Sequence, residues 1–145
     1  YIAIYTLGKP INLIKQAREL AKKTGCKLLY LSDFYGDLDI KHLRGLGPME
    51  FVSYLANAEY VFTNSFHGTA FSVNLHKNFF AEVNTLSRYN YRAEALLKAC
   101  GLMKRTMEQC KDVFEESKKP IDFNAVENVL NLERNRSEKY FNEIL

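Results

Sequence analysis

The sequence lacks the features that mark membrane, secreted and metal-binding proteins. No apolar run approaches the about 20 residues that cross a bilayer, and the chain opens without a charged segment and cleavage site for export. The three cysteines form no CxxC pair and cannot all pair with one another, which favours reduced thiols. We therefore expect a cytoplasmic protein without a transmembrane segment. Peripheral association with the inner face of the membrane stays compatible with this expectation.

The chain also lacks a strong charge of either sign. Its formal net charge is only +3, and the lysines and arginines are scattered along the chain. A nucleic-acid groove requires a basic patch, so we expect no nucleic-acid partner, whereas the slight positive excess favours a small anionic ligand. With three histidines and no HExxH or comparable motif, the sequence predicts no metal site.

What the sequence does contain is the length and composition of an ordinary folded domain. Its 145 residues suit one hydrophobic core, and its 47% hydrophobic and 26% charged residues are typical of globular proteins. Residues 1–145 are therefore predicted to form a single domain. Because the chain starts on a strand-like segment without an initiator methionine, we expect this domain to be part of a longer protein.

Apolar segments alternate with helical patterns along the chain. Strands are predicted at residues 1–7, 27–32, 60–63 and 79–83, and helices at 12–24, from 47 onward, 70–76, 93–99 and 123–145. Residues 33–46 are predicted to form a loop, and residues 134–137 to interrupt the last helix. Such alternation predicts a Rossmann-like three-layer α/β/α fold with a mainly parallel sheet and right-handed crossovers.

The turn after the third predicted strand, residues 63–69, reads Thr-Asn-Ser-Phe-His-Gly-Thr. Ligands of parallel sheets bind beyond the carboxyl ends of strands, where helix N-termini present free N–H groups and a positive dipole end. Gly68 allows a close backbone approach, Ser65 and Thr69 offer hydroxyls, and the amides around Gly68 and Thr69 suit a phosphate or carboxylate. We predict an anion site here, in which Ser65 either contacts the ligand or only caps the helix.

His67 would add a proton carrier to this anion site. Imidazole titrates near neutrality, so His67 could serve as an acid, a base or an anion clamp. The structural alternative is a histidine that caps the helix or fills a polar gap.

The same region carries a family resemblance. Residues 47–51 (Gly-Pro-Met-Glu-Phe) and 57–72 (NAEYVFTNSFHGTAFS) resemble the signature region of polysaccharide pyruvyl transferases. Beyond Phe80 the resemblance continues more weakly through Arg92 and Arg105. It implies the C-terminal half of a GT-B-like fold: a donor-binding domain that faces an N-terminal domain, absent here, across the acceptor site.

The resemblance also implies a reaction. Members of the family transfer pyruvate from phosphoenolpyruvate onto two sugar hydroxyls as a ketal, with release of phosphate, during assembly of capsules and exopolysaccharides. The implied partners are phosphoenolpyruvate as donor substrate, a sugar or lipid-linked oligosaccharide as acceptor and the N-terminal domain, with no further cofactor. By this resemblance the catalytic residue is His67, and the substrate-binding residues are Ser65, Phe66, Gly68, Thr69, Arg88 and Arg92.

One position departs from the family pattern, and two other functions stay open. Some branches of the family place an arginine two residues before the histidine, where this chain has Ser65. A GT-B glycosyltransferase would bind the diphosphate of a nucleotide sugar at the same helix N-terminus. A non-catalytic module would use His67 only to position an anion or a glycan.

Overall fold

A five-stranded parallel sheet forms the centre of the fold. In a computed structural model that describes residues 1–31, 39–83 and 91–144, the strands are β1 (Ile2–Tyr5), β2 (Leu28–Tyr30), β3 (Lys41–His42), β4 (Tyr60–Thr63) and β5 (Asn78–Ala81). Their order is β3-β2-β1-β4-β5, and each pair is parallel. Consecutive strands thus extend from β1 in one direction to β3 and in the other to β5, so the direction of winding reverses beside β1.

Six α-helices flank this sheet in the described part of the chain. They are α1 (Leu13–Thr24), α2 (Pro48–Ala56), α3 (Phe66–Asn74), α4 (Tyr91–Ala99), α5 (Val113–Ser117) and α6 (Phe123–Ile144), with a short 3-10 helix at Met103–Arg105. The helix α1 buries Leu13, Ala17 and Leu20, which share one stripe at helical spacing, and ends at Gly25 in the left-handed conformation, φ 74°.

Side chains on the two faces of the sheet pack into two separate hydrophobic clusters. Phe62 and Phe80 pack on one face with residues of α1 and α5, whereas Val61 and Phe79 pack on the other with residues of α2, α3, α4 and α6. Neighbouring residues of a strand point to opposite faces, so β1, β4 and β5 each contribute to both clusters. The predicted three-layer α/β/α architecture with a parallel sheet is therefore confirmed.

The structure differs from the predicted elements most clearly at β3 and at the start of α3, and α5 has no counterpart among the predicted elements. The sequence predicts a loop throughout residues 33–46, but Lys41–His42 pairs with β2 as the edge strand β3; residues 32–38 lie outside the described part of the chain. The helix α3 begins at Phe66 rather than at residue 70. Neither β3 nor the first turn of α3 has an apolar period that would indicate it. Backbone pairing with β2 defines β3, and the turn after β4 defines the start of α3.

The last helix is continuous where the sequence predicts an interruption. Residues 134–137 continue α6 without a break, and ion pairs from Arg134 to Glu127 (3.2 Å) and from Arg136 to Glu133 (2.6 Å) lie along it. Neither proline nor glycine occurs there, so the polar residues do not break the helix. They lie instead within the exposed part of α6, which extends from residue 131 to residue 144.

Candidate functional site

The crevice between the carboxyl ends of β1 and β4 is where this topology favours ligand binding. After β1 the chain turns towards α1 on one face of the sheet, and after β4 it turns towards α3 on the other face. The two turns therefore separate at the point where the winding reverses, which is the usual ligand position in open α/β sheets.

The first turn of α3 presents backbone amides that have no hydrogen-bond partner among the described residues. Ser65 is the N-cap residue, in extended conformation (φ −98°, ψ 139°), and its carbonyl accepts the first helical hydrogen bond, from the Thr69 amide at 2.9 Å. The amides of residues 66–68 precede that bond and have no acceptor within the helix, and no side chain caps them. Amides at the positive end of a helix dipole can bind an anion.

Ser65 contributes a buried hydroxyl that makes no hydrogen bond among the described residues. The residue is 1% exposed, and its own amide donates to Thr63 Oγ1 at 3.0 Å. Ser65 occupies the N-cap position of α3, but its side chain makes no capping hydrogen bond. Ligand contact by this hydroxyl stays a prediction. A buried hydroxyl without a partner is destabilising, which is a common property of groups that bind ligands.

Gly68 and Thr69 have structural roles in this turn. A Cβ at Gly68 would lie 2.2 Å from Thr63 Oγ1, so glycine is required for α3 to pass over the end of β4. The Thr69 amide and hydroxyl both donate to the Ser65 carbonyl, each at 2.9 Å. Among the described residues, the amides without an acceptor in this turn are thus those of residues 66–68, whereas the sequence suggests the amides around Gly68 and Thr69. Ligand contact by these two side chains stays a prediction.

His67 lies on the exposed side of the same turn. Its ring meets the edge of the Phe66 ring with centroids 5.7 Å apart, and it makes no hydrogen bond in the part of the chain that the structure describes. It therefore neither caps the helix nor fills a buried polar gap. An exposed imidazole beside free amides is available to a ligand bound there.

Among the predicted cationic contacts, Arg92 reaches the turn. Its guanidinium lies over the Phe66 ring, 4.6 Å from the ring centroid, which holds a positive charge beside the start of α3. Arg88 lies outside the described residues. Lys77 follows the C-terminus of α3 and donates to the Ala56 carbonyl at 2.8 Å, away from the turn.

Glu82 is an important residue of this edge that the sequence predictions missed. It follows β5, its amide donates to the Thr63 carbonyl at 2.9 Å, and it is 6% exposed. Its carboxylate accepts hydrogen bonds from the amides of residues 11–13 at 2.7, 2.7 and 2.9 Å, at the start of α1. These partners lie 69 to 71 residues earlier in the chain, so no local pattern indicates the contact.

A second link joins the turn after β4 to the loop after β1. The Asn64 carboxamide accepts a hydrogen bond from the Leu7 amide at 2.7 Å and donates one to the Leu7 carbonyl at 3.1 Å. The side chain thereby extends the pairing of β1 and β4 beyond their last residues. The position of α3 relative to β1 is fixed by this pair.

Comparison with known proteins identifies one family. The family model described as polysaccharide pyruvyl transferase matches residues 4–84, which is more than half of the chain and includes the turn at residues 63–69. This match extends further towards the N-terminus than the resemblance noted above and ends before Arg92. Neither a curated protein nor a solved structure matches the chain. No helix in the described ranges has the length and apolar character needed to cross a membrane.

Proposed function

Since this chain belongs to the polysaccharide pyruvyl transferase family, we propose that it transfers pyruvate from phosphoenolpyruvate to a sugar as a ketal. The proposed acceptors are sugars or lipid-linked oligosaccharides of cell-surface polysaccharide assembly in the cytoplasm. We also propose that an N-terminal domain supplies the facing wall of the acceptor site. The chain described here is then the donor-binding domain.

The observation that carries this proposal is the open first turn of α3. That turn contains the buried Ser65 hydroxyl, the exposed His67 ring and the amides of residues 66–68, which have no partner in the described part of the chain. Amides at a helix N-terminus suit a phosphate or a carboxylate, and phosphoenolpyruvate carries both groups. An imidazole beside the bound anion suits a reaction that moves protons.

The reaction gives His67 a defined task. Two sugar hydroxyls form bonds to C2 of the enolpyruvyl group, C3 takes up one hydroxyl proton and becomes a methyl group, and the C2–O bond to phosphate breaks. The second hydroxyl proton leaves with the phosphate, so atoms and charge balance. His67 is proposed to exchange a proton with C3 or with an attacking hydroxyl, because imidazole is suited to both transfers near neutral pH.

Arg92 is the proposed cationic contact for the donor. Stacking on Phe66 holds its guanidinium beside the first turn of α3, and a guanidinium can bind a carboxylate or phosphate through two parallel hydrogen bonds. Ser65 occupies the position where some members of the family carry an arginine. A cation from the start of α4 would then provide the charge that this position lacks.

The test is transfer by the full-length protein. Phosphate release from phosphoenolpyruvate is measured with a panel of methyl glycosides that differ in the orientation of neighbouring hydroxyls, with and without His67→Asn. We expect release only with an acceptor, and a rate lower by roughly 10²–10⁴-fold in the variant, because one proton transfer loses its catalyst.

His76→Asn provides the matched control. This histidine lies beyond the other end of α3, where it pairs with Glu127 at 3.2 Å, so the same substitution there should leave transfer unchanged. Circular dichroism of both variants establishes that they fold. Full activity of folded His67→Asn would contradict the proposal.

A further inference from the structure

We propose that Glu82 determines ligand specificity by occupying the anion-binding position at the start of α1. The carboxyl edge of the sheet then accepts the anionic groups of a ligand at α3 alone. The inference depends on the proposed function only for the identity of the ligand at α3. It goes beyond that function because it concerns which ligands the site excludes.

The start of α1 has the construction of an anion site. Residues 11–13 direct three amides towards one point, and the Asn12 side chain does not cap the helix. This helix has 12 residues and follows β1 directly, at the crevice where parallel α/β proteins commonly hold the phosphates of nucleotides. In this chain a carboxylate of the protein itself binds there.

Glu82 is held in that position from both sides. Its backbone amide donates to the carbonyl of Thr63, the last residue of β4, and its carboxylate accepts hydrogen bonds from all three amides at distances of 2.9 Å or less. An incoming anion would have to approach this buried negative charge and displace it from its three donors. Moving such a carboxylate out of hydrogen bonds while it stays buried is strongly unfavourable.

The start of α3 differs in each of these respects. Its three amides have no capping side chain, and the Ser65 hydroxyl beside them, on a residue that is 99% buried, has no partner among the described residues. Of the two helix starts at the crevice, one is occupied by a carboxylate and the other is open. A ligand with one phosphate fits this arrangement, whereas a diphosphate that spans both helix starts does not.

The experiment titrates the isotope-labelled chain with inorganic phosphate and, separately, with inorganic pyrophosphate, and follows the backbone amide resonances by NMR. In the wild type we expect both probes to shift the resonances of residues 66–68 and to leave those of residues 11–13 in place. In Glu82→Ala the three amides of α1 lose their acceptor, so residues 11–13 should respond as well, with two phosphates bound instead of one.

Glu19→Ala is the matched control, because it removes the same charge from the exposed side of α1 and leaves Glu82 in place. It should respond like the wild type. A shift of residues 11–13 in the wild type would overturn the inference, and so would their silence in folded Glu82→Ala or an equal response in Glu19→Ala. If Glu82→Ala does not fold, the two wild-type titrations decide. Silence at residues 66–68, with residues 11–13 responding only in Glu82→Ala, would contradict the proposed function and leave this inference standing.

Discussion

At Gly68 the helix α3 approaches β4 more closely than any side chain permits. A Cβ at this position would lie 2.2 Å from Thr63 Oγ1 and 2.9 Å from Thr63 Cβ. The contact holds the first turn of α3 directly over the end of the strand, and it lies against the same Thr63 hydroxyl that accepts the Ser65 amide. The placement of the open amides therefore depends on one missing methyl group.

We predict that Gly68→Ala destabilises the domain. The added methyl must displace Thr63 or α3, which typically costs about 1–3 kcal/mol, and the higher helix propensity of alanine offsets only about 1 kcal/mol of this. The free energy of unfolding is measured by urea denaturation. Gly47→Ala is the control, because its Cβ would meet only Glu50 Oε2 at 3.6 Å, an ordinary contact. Equal losses in the two variants would refute this packing role.

At the scale of residues, the sequence predicted the turn of the candidate site better than the contacts that each of its residues makes. The predicted turn at residues 63–69 contains the start of α3. It could be predicted because a glycine and a histidine after a buried strand are a local signal. The packing of Gly68 on Thr63 and the unpartnered Ser65 hydroxyl are properties of the tertiary structure. No local pattern indicated the role of Glu82, since its partners lie 69 to 71 residues earlier in the sequence.

The helix α6 packs into the hydrophobic core of the domain through its first part. Val126 is 2% exposed in the hydrophobic core, whereas Phe141 and Ile144 are each 60% exposed. At the end of the packed part, Glu127 pairs with His76 and with Arg134, at 3.2 Å in both cases. The contact with His76 joins α6 to the segment that follows α3, whereas the ion pair with Arg134 lies within α6.

We predict that Glu127 makes the attachment of α6 sensitive to acid. Hydrogen bonds from His76 and then Arg134 lower the pKa of Glu127 below its ordinary value of 4.5. A carboxyl whose pKa is lower in the folded state stabilises that state above its unfolded pKa and loses this effect as the pH falls through the folded pKa. The difference in unfolding free energy between wild type and Glu127→Gln should therefore diminish as the pH falls below 4.5.

Thermal denaturation between neutral and acidic pH measures this difference. Glu138→Gln on the exposed part of the same helix is the control, and its difference from the wild type should not depend on pH. The burial of the Cys100 thiol raises its pKa, with a smaller contribution from the Glu127 charge, so this neighbour stays neutral over the acidic range. A pH-independent difference for Glu127→Gln would show that the pair does not stabilise the folded state.

At the scale of elements, periodic segments were predictable and the others were not. The helix α1 follows its apolar stripe, and β1 and β4 follow their buried runs. The edge strand β3 consists of Lys41–His42, which have no strand pattern and are defined by pairing with β2. Polar composition at residues 134–137 indicated a break, but composition there determines exposure and not helix formation.

For the molecule as a whole, exposed apolar side chains concentrate in two places. One group lies at the loops and helix starts of the carboxyl edge, and the other on the outer part of α6: Leu7, Ile11, Met49 and Tyr91 in the first, and Leu132, Tyr140, Phe141 and Ile144 in the second. Leu7 of the first group is joined to the turn at residues 63–69 through the Asn64 carboxamide. Apolar side chains beside a bound anion exclude water, which strengthens the interaction of the anion with cations and amides.

Because Glu82 occupies the start of α1 and leaves only the start of α3 to an anion, we predict that phosphoenolpyruvate stabilises the chain more than a nucleoside diphosphate at equal concentration. A ligand that binds the folded state adds about 1.4 kcal/mol for each tenfold excess over its dissociation constant, or roughly 3–6 °C in the melting temperature of a domain of this size. Arg92→Ala should reduce the stabilisation by phosphoenolpyruvate, because the cation beside Phe66 is lost. Arg136→Ala, which removes an exposed arginine from the outer part of α6, is the control and should not reduce it. Stronger stabilisation by the nucleoside diphosphate would favour the glycosyltransferase alternative, since Glu82 would then not exclude a second phosphate from the crevice.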